Sequence, residues 1–217
     1  MLSLTEENYL KAIYHLSEGG SKAVLTNEIA ESLATKAASV TDMIKKLSVK
    51  NVISYEKYYG VKLTKQGKTS ALSIIRKHRL WETFLVQQLN FSWDEVHEVA
   101  EQLEHIQSPL LIEKLDEFLG YPSVDPHGEP IPDKNGKIKL QASVMLADLA
   151  PGYKGSIVAV KDSDSGLLKY LDKIGATPGK KIKLISKEEY DDSLEIELEN
   201  TRVSVSKIVS QKILVTA

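Results

Sequence analysis

The sequence predicts a mainly α protein with a small β domain: an N-terminal winged helix-turn-helix, a helical unit suited to dimerisation, and a C-terminal β-barrel. Three observations carry this. Three short helical patterns lead directly into two β-prone runs around a glycine turn. Long amphipathic segments come next. Past a proline-rich stretch, five short β-prone runs follow within roughly 70 residues, the mark of a small barrel.

The first helix opens on the capping box of Ser3 and Glu6 and carries Tyr9, Leu10, Ile13, Tyr14 and Leu16 at helical spacing until Gly19 and Gly20 stop it. Thr26 caps a second, shorter helix holding Ile29, Ala30 and Leu33. In AASVTDMIKKLSVKN, Val40, Met43, Ile44 and Leu47 share one face, with Ser39, Thr41, Asp42, Lys45 and Lys46 largely off it. That grouping is helix-turn-helix. VISYEKYYGVKLT supplies two runs, 52–56 and 61–63, joined by a turn ending in Gly60, which makes a wing. Such a domain spans residues 1–73.

Thr64 caps a long amphipathic segment over 65–89 in which His78 and Glu82 stand at i and i+4 on one face. Ser92 and Glu95 form a further capping box, and Ser108-Pro109 starts another helix that Gly120 ends. Four of the seven prolines (122, 126, 130, 132) fall between Tyr121 and Gly136, which reads as an ordered linker rather than a Gly/Ser tether. This helical and linker unit spans 74–140. The runs SIVAV, KIKLI, LEIEL, RVSV and KILV then build a barrel domain over 141–217.

Composition narrows the function. The chain has 217 residues, 42% of them hydrophobic and 27% charged, which suits globular domains. No apolar run approaches the roughly 18 residues of a membrane span, and the N-terminus is acidic where a signal peptide is basic, so the expected location is cytoplasmic and away from membranes. Cysteine is absent, so any metal must be held by imidazole, carboxylate, amide or water. Net charge is −2 but unevenly spread: residues 36–68 hold eight lysines against Asp42 and Glu56, and residues 90–118 hold eight acids against Lys114. A polyanion-facing segment precedes a cation-facing one. Lys36, Ser39, Thr41, Asp42, Lys45 and Lys46 on the recognition helix, with Lys57 and Lys62 on the wing, are the expected contacts to double-stranded DNA.

The cation-facing segment contains HEVAEQLEH. On a helix, His97, Glu101, Glu104 and His105 fall at roughly 0°, 40°, 340° and 80° on the wheel and share one face. With His78 and Glu82 this gives two helices the same metal-ligating habit, and His127 lies in the linker beside Asp125. Imidazole and carboxylate suit Mn²⁺, Fe²⁺, Co²⁺, Ni²⁺ or Zn²⁺. The competing readings are a metal-independent winged-helix regulator and a metal-dependent hydrolase with Glu101 or Glu104 as general base. No nucleophile elbow or phosphate loop supports an enzyme.

The run IRKHRLWETFL, then VHEVAEQLEH, after a winged helix and before a glycine-punctuated β domain, resembles the diphtheria toxin repressor family of iron- and manganese-dependent transcriptional regulators. The resemblance implies a homodimer with an SH3-like (FeoA-like) barrel, and a repressor with Mn²⁺ or Fe²⁺ as co-repressor, other divalent transition metals substituting in vitro. Its targets would be metal-uptake genes, reached through an inverted-repeat operator. It implies one metal site at His78, Glu82 and His97, and another at Glu101, Glu104 and His105 with Asn8. Asp125, His127 and Asp164 would be further ligands from linker and barrel. Two departures stand out. The iron-sensing branch resembles Cys at the position of Glu101 and Met at Asn8, and the manganese-sensing branch has acids at Glu101, Asn8 and Lys11; this chain has Glu, Asn and Lys.

Overall fold

The computed structural model describes every residue except Met1, Leu140 and Ser163, so the expected boundary at 140 lies outside the described residues. The described chain forms two compact units: Met1–His78 with Leu103–Gln107 and Pro132–Lys137, and Arg79–Gln102 with Ser108–Ile131 and Ile138–Ala217.

The first unit opens with α1 (Leu4–Leu16), α2 (Thr26–Ser32) and α3 (Ala37–Val49). Ser3 accepts from the Glu6 N–H and Glu6 accepts from that of Ser3, the reciprocal box expected. At α2 the cap is Leu25 rather than Thr26, because the Glu28 carboxylate takes the Leu25 N–H at 2.6 Å and lets the helix start one residue earlier than a threonine cap would. Val40, Ile44 and Leu47 bury one stripe of α3 against Leu10, Ile13 and Ile29. The wing is β1 (Ile53–Glu56) and β2 (Gly60–Leu63), paired antiparallel from Ile53↔Leu63 to Glu56↔Gly60. Val24 bridges to Val61 on the other edge of β2. That approach needs Gly60, since a Cβ there would lie 2.5 Å from the Val24 carbonyl oxygen. The unit also holds the start of the 25-residue α4 (Lys65–Leu89), whose Thr64 cap accepts from the Gly67 N–H at 3.1 Å.

In the second unit, α5 (Val96–Leu103) and α6 (Pro109–Phe118) follow, with Leu80, Ile112, Leu115 and Ile131 as a small core. Ser108 and Pro109 start α6 as expected, the Ser108 hydroxyl accepting from Leu111 N–H at 3.3 Å. The Ser92/Glu95 box does not start a helix there: residues 93–95 form a turn and α5 begins at Val96. Trp93 is drawn instead into the β domain's core, so the chain at the cap cannot lie along the helix axis.

That domain is one antiparallel sheet of six strands, β3 (Ser143–Met145), β4 (Lys154–Val160), β5 (Lys181–Lys187), β6 (Leu194–Leu198), β7 (Thr201–Val205) and β8 (Ile213–Thr216), in the order β3-β8-β4-β5-β6-β7. Irregularities in β4 and β5 bend it around Leu168, Leu184, Ile196 and Val215. The sequence reading missed α7 (Ser165–Ile174), which Gly166 disguised as a turn. Its signals were present: Asp164 as cap, Leu167, Leu168, Leu171 and Ile174 at helical spacing, and Gly175 at φ +74 beyond the end. A short α8 (Lys207–Ser210) precedes β8.

Candidate metal centre and nucleic-acid interface

The polar quartet of HEVAEQLEH does not share one helical face, which corrects the sequence reading. α5 stops at Leu103, and Glu104 and His105 lie in the turn beyond it, closed by the Ile106 N–H on the Leu103 carbonyl. The helix ends ahead of Ser108, which caps α6 and which Pro109 keeps out of helical backbone. His97 and Glu101 consequently belong to the second unit, Glu104 and His105 to the first.

In the first unit, α1 supplies Glu7, Asn8 and Lys11, α4 supplies Lys77 and His78, and the turn supplies Glu104 and His105. Glu104 is fully buried. Its two oxygens lie 2.7 and 2.8 Å from the Lys11 ammonium, and His78 Nδ1 lies 2.6 Å from Oε2. Burial would push this carboxyl up, but the His78 hydrogen bond and the Lys11 charge outweigh it and hold Glu104 below the usual carboxylate range. His105 Nδ1 sits 2.6 Å from Glu7 Oε2, and the Gln107 amide donates to the other Glu7 oxygen at 2.8 Å. An ionised carboxylate only accepts, so both imidazoles carry a proton on Nδ1 and, when neutral, hold their lone pair on Nε2, the arrangement that orients a metal-ligating histidine. Lys77 is buried and held below the usual lysine value by that burial, against the opposing charges of Glu7 and Glu104.

In the second unit, Glu82 is buried between two imidazoles: Oε1 is 3.3 Å from His97 Nδ1, and Oε2 is 3.7 Å from His127 Nδ1. His97 Nε2 is 3.6 Å from Glu101 Oε1. Glu82, Asp125 and His127 are all buried, with one ligand atom each lying within 4.8 Å of the others. The linker is ordered around Asp125, whose Oδ1 accepts from the backbone of His127 at 2.8 Å and of Glu129 at 3.0 Å. Arg79 closes this pocket, reaching Asp125 Oδ2 at 3.4 Å and pairing with Glu129. Burial and the neighbouring Glu82 charge push Asp125 up to about 7 despite Arg79. For His127 burial works downward, but the facing Glu82 carboxylate, with Asp125 beside it, prevails and raises it to about 8. Its Nε2 contacts the Trp93 carbonyl oxygen at 2.8 Å and its ring stacks on Trp93. Asp164 joins neither cluster: its carboxylate caps α7, accepting from Leu167 N–H at 2.9 Å.

Lys36, Ser39, Thr41, Asp42, Lys45 and Lys46 of α3, with Lys57 and Lys62 of the wing, are all solvent-exposed. Tyr58 is also exposed at the wing tip, its ring 5.0 Å under the Lys57 ammonium. Glu7, Arg79 and Glu129 were missed in the sequence reading. Glu7 could have been found one helical turn before Lys11, and Arg79 as the cation inside the KHRL run.

Residues 1–61 match the family model described as iron dependent repressor, N-terminal DNA binding domain; residues 64–133 match its metal binding and dimerisation domain, and 144–217 match the FeoA domain. The iron-dependent repressor IdeR of Mycobacterium leprae is 32% identical over 160 residues, which cover 72% of this chain and 69% of that protein. This chain belongs to the diphtheria toxin repressor family. The repressor is also similar to IdeR of Mycobacterium tuberculosis, 34% identical over 59% of this chain and 55% of its relative. Among solved structures, a manganese-dependent transcriptional repressor in complex with manganese superposes with a TM-score of 0.88 at 31% identity, over 98% of this chain and 99% of that one. The winged helix, the helical dimerisation segment and the SH3-like barrel are thus those of metal-dependent repressors, and a DNA-binding regulator is what this chain is. No helix among the described residues is long and apolar enough to cross a membrane.

The family implies a bound divalent metal, and the residues present fit one. Asn8 Oδ1 is a buried carbonyl oxygen without a hydrogen-bond partner, a cost that a cation at that oxygen would relieve. The groups that α1 meets through Glu7 and Lys11 are the His105 imidazole and the Glu104 carboxylate, and such donors are the hard-to-borderline set of first-row divalent ions.

Proposed function

We propose that this repressor uses Mn²⁺ or Fe²⁺ as co-repressor to control metal-uptake genes in the cytoplasm, binding an inverted-repeat operator as a homodimer and having no enzymatic role. The observation that carries the metal reading is the buried carboxylate of Glu104, flanked by His78 and by α1 residues, with Asn8 Oδ1 left unpartnered on that helix. The ligand sets are His78, Glu82 and His97 for one site, and Asn8, Glu101, Glu104 and His105 for the other. Asp125 and His127 complete a third grouping with Glu82. The domains are the winged helix over 1–73, the helical unit over 74–140 and the barrel over 141–217.

A bound divalent ion supplies positive charge that offsets the acid-rich segment. The residues do the rest. Lys11 and Glu7 hold α1 to the turn carrying Glu104 and His105, Asn8 would join them when an ion is bound, and α1 packs through Leu10 and Ile13 on the core that α3 shares, so fixing α1 fixes the recognition helix. Two recognition helices then meet half-sites one helical turn, about 34 Å, or a multiple apart. Ser39, Thr41 and Asp42 face base edges, while Lys36, Lys45, Lys46, Lys57 and Lys62 bind phosphates.

The test is fluorescence anisotropy of an inverted-repeat duplex with chelator-treated protein, titrated anaerobically with Mn²⁺ and separately with Fe²⁺. Binding that requires metal is expected, and the ion effective at the lower free concentration identifies the signal. Equal binding in chelator would overturn the co-repressor reading and leave a metal-independent regulator.

A further inference from the structure

Asn8 and Lys11 stand three residues apart and so on one side of α1. One of them already brings a cation to the cluster. Both oxygens of Glu104 are engaged by the Lys11 ammonium, at 2.7 and 2.8 Å, and the Lys11 side chain is 14% exposed against 0% for Glu104. Resting on the metal-centre reading above, we infer that Lys11 is a tethered competitor cation: an ion can bind Glu104 only when the ammonium withdraws, so Lys11 sets the ion concentration at which the centre loads.

The chemistry favours the exchange. Lys11 takes a lone pair on each Glu104 oxygen and His78 another on Oε2, and a monovalent cation under 3 Å from the same carboxylate repels an incoming divalent one in an enclosed site. The charge balance agrees. Glu7 and Glu104 face Lys11 and Lys77, so these four charges cancel and Lys11 lowers the pull that the two carboxylates exert on a further cation. Once Lys11 leaves, the balance becomes negative and Asn8 Oδ1, buried and unpartnered in the present arrangement, has a cation to bind. The exchange hands α1's contact with Glu104 from one residue to another of the same helix. A purely structural ion pair would behave differently: its removal would loosen the fold without tightening metal binding.

The experiment is calorimetric titration of chelator-treated protein with Mn²⁺, without DNA, for wild type, Lys11→Met and Lys11→Arg, each checked for folding by circular dichroism. Lys11→Met should bind Mn²⁺ about 10- to 100-fold more tightly, the worth of a charge-assisted hydrogen bond that no longer has to break. Lys11→Arg keeps the cation and should show no such gain. Equal or weaker binding by Lys11→Met would overturn the role of Lys11, whereas no Mn²⁺ uptake by any of the three would overturn the metal-centre reading itself. A second measurement uses wild type alone: acetylation of Lys11 by an amine-reactive reagent, followed by mass spectrometry, should accelerate when Mn²⁺ saturates the centre. Unchanged protection of Lys11 at saturation would overturn the exchange even if the methionine variant did not fold.

Discussion

Replacing Glu104 by glutamine keeps the side chain's shape and removes its charge, and the structure gives the size of the effect. Three short polar contacts converge on this carboxylate, two from Lys11 and one from His78. Breaking a buried ion pair by deleting one partner costs roughly 3–5 kcal/mol. Two features lower that figure here: Lys11 retains 14% exposure and can turn its ammonium toward water, and His78 can still donate Nδ1–H to an amide oxygen. The expected loss is about 2–3 kcal/mol. For a chain of this size that lowers Tm by about 5–10 °C. Chelator-treated wild type and Glu104→Gln are compared by scanning calorimetry, then by urea unfolding in a cycle with Lys11→Met. A coupling energy of about 2 kcal/mol between the two sites is expected. A Glu104→Gln variant within about 0.5 kcal/mol of wild type, or strictly additive variants, would refute the claim that this pair holds α1 to the 104–105 turn.

Three further outcomes can be checked. Asp125, raised from 3.8 to about 7, and His127, raised from 6.5 to about 8, bind protons more tightly folded than unfolded. Their contribution is complete below their ordinary values and is lost as pH rises through about 7 and about 8, so metal-free wild type should lose stability relative to Asp125→Asn as pH climbs from 4 to 7; a gain over that range would contradict the shift. Gly128→Ala puts a Cβ 1.9 Å from the Val158 carbonyl oxygen at φ +84, costing more than about 2 kcal/mol and lifting the linker loop from β4. Hydrogen exchange at Val160, whose N–H donates to the His127 carbonyl at 2.9 Å, should accelerate, and undiminished protection would count against that docking. Lys45→Ala should weaken binding to all duplexes alike and reduce the salt slope by about 1, whereas an unchanged slope removes Lys45 from the phosphate contacts.

The N-terminal unit was legible in the sequence because each of its signals is local. The Ser3 box, the apolar stripe of α3 and the Gly60 turn each need only a few neighbours, and they agree with one another. The candidate ligands stood out as a list, because imidazole and carboxylate are conspicuous in a cysteine-free chain. How far the helix expected to carry four of them runs was not legible. The wheel ran one helix through His97, Glu101, Glu104 and His105, whereas α5 ends at Leu103 and the last two lie in the turn beyond it. Nor could spacing show that Lys11 and Glu104, 93 residues apart, would share one buried contact. Capping explains the remaining differences: Glu28 moved the start of α2, and Asp164 caps α7.

Trp93 belongs by sequence to the approach to α5, yet it is 8% exposed and packs among Leu146, Leu168 and Ile196 of the β domain. A chain shortened before residue 141 would present that indole to water beside the stacked His127 ring. The barrel is therefore not a detachable appendage. Any shorter repressor derived from this sequence would need a polar side chain at 93 to stay dispersed, and the same substitution in the full chain would unseat the barrel from within, leaving position 93 as the residue on which gain or loss of the third module turns.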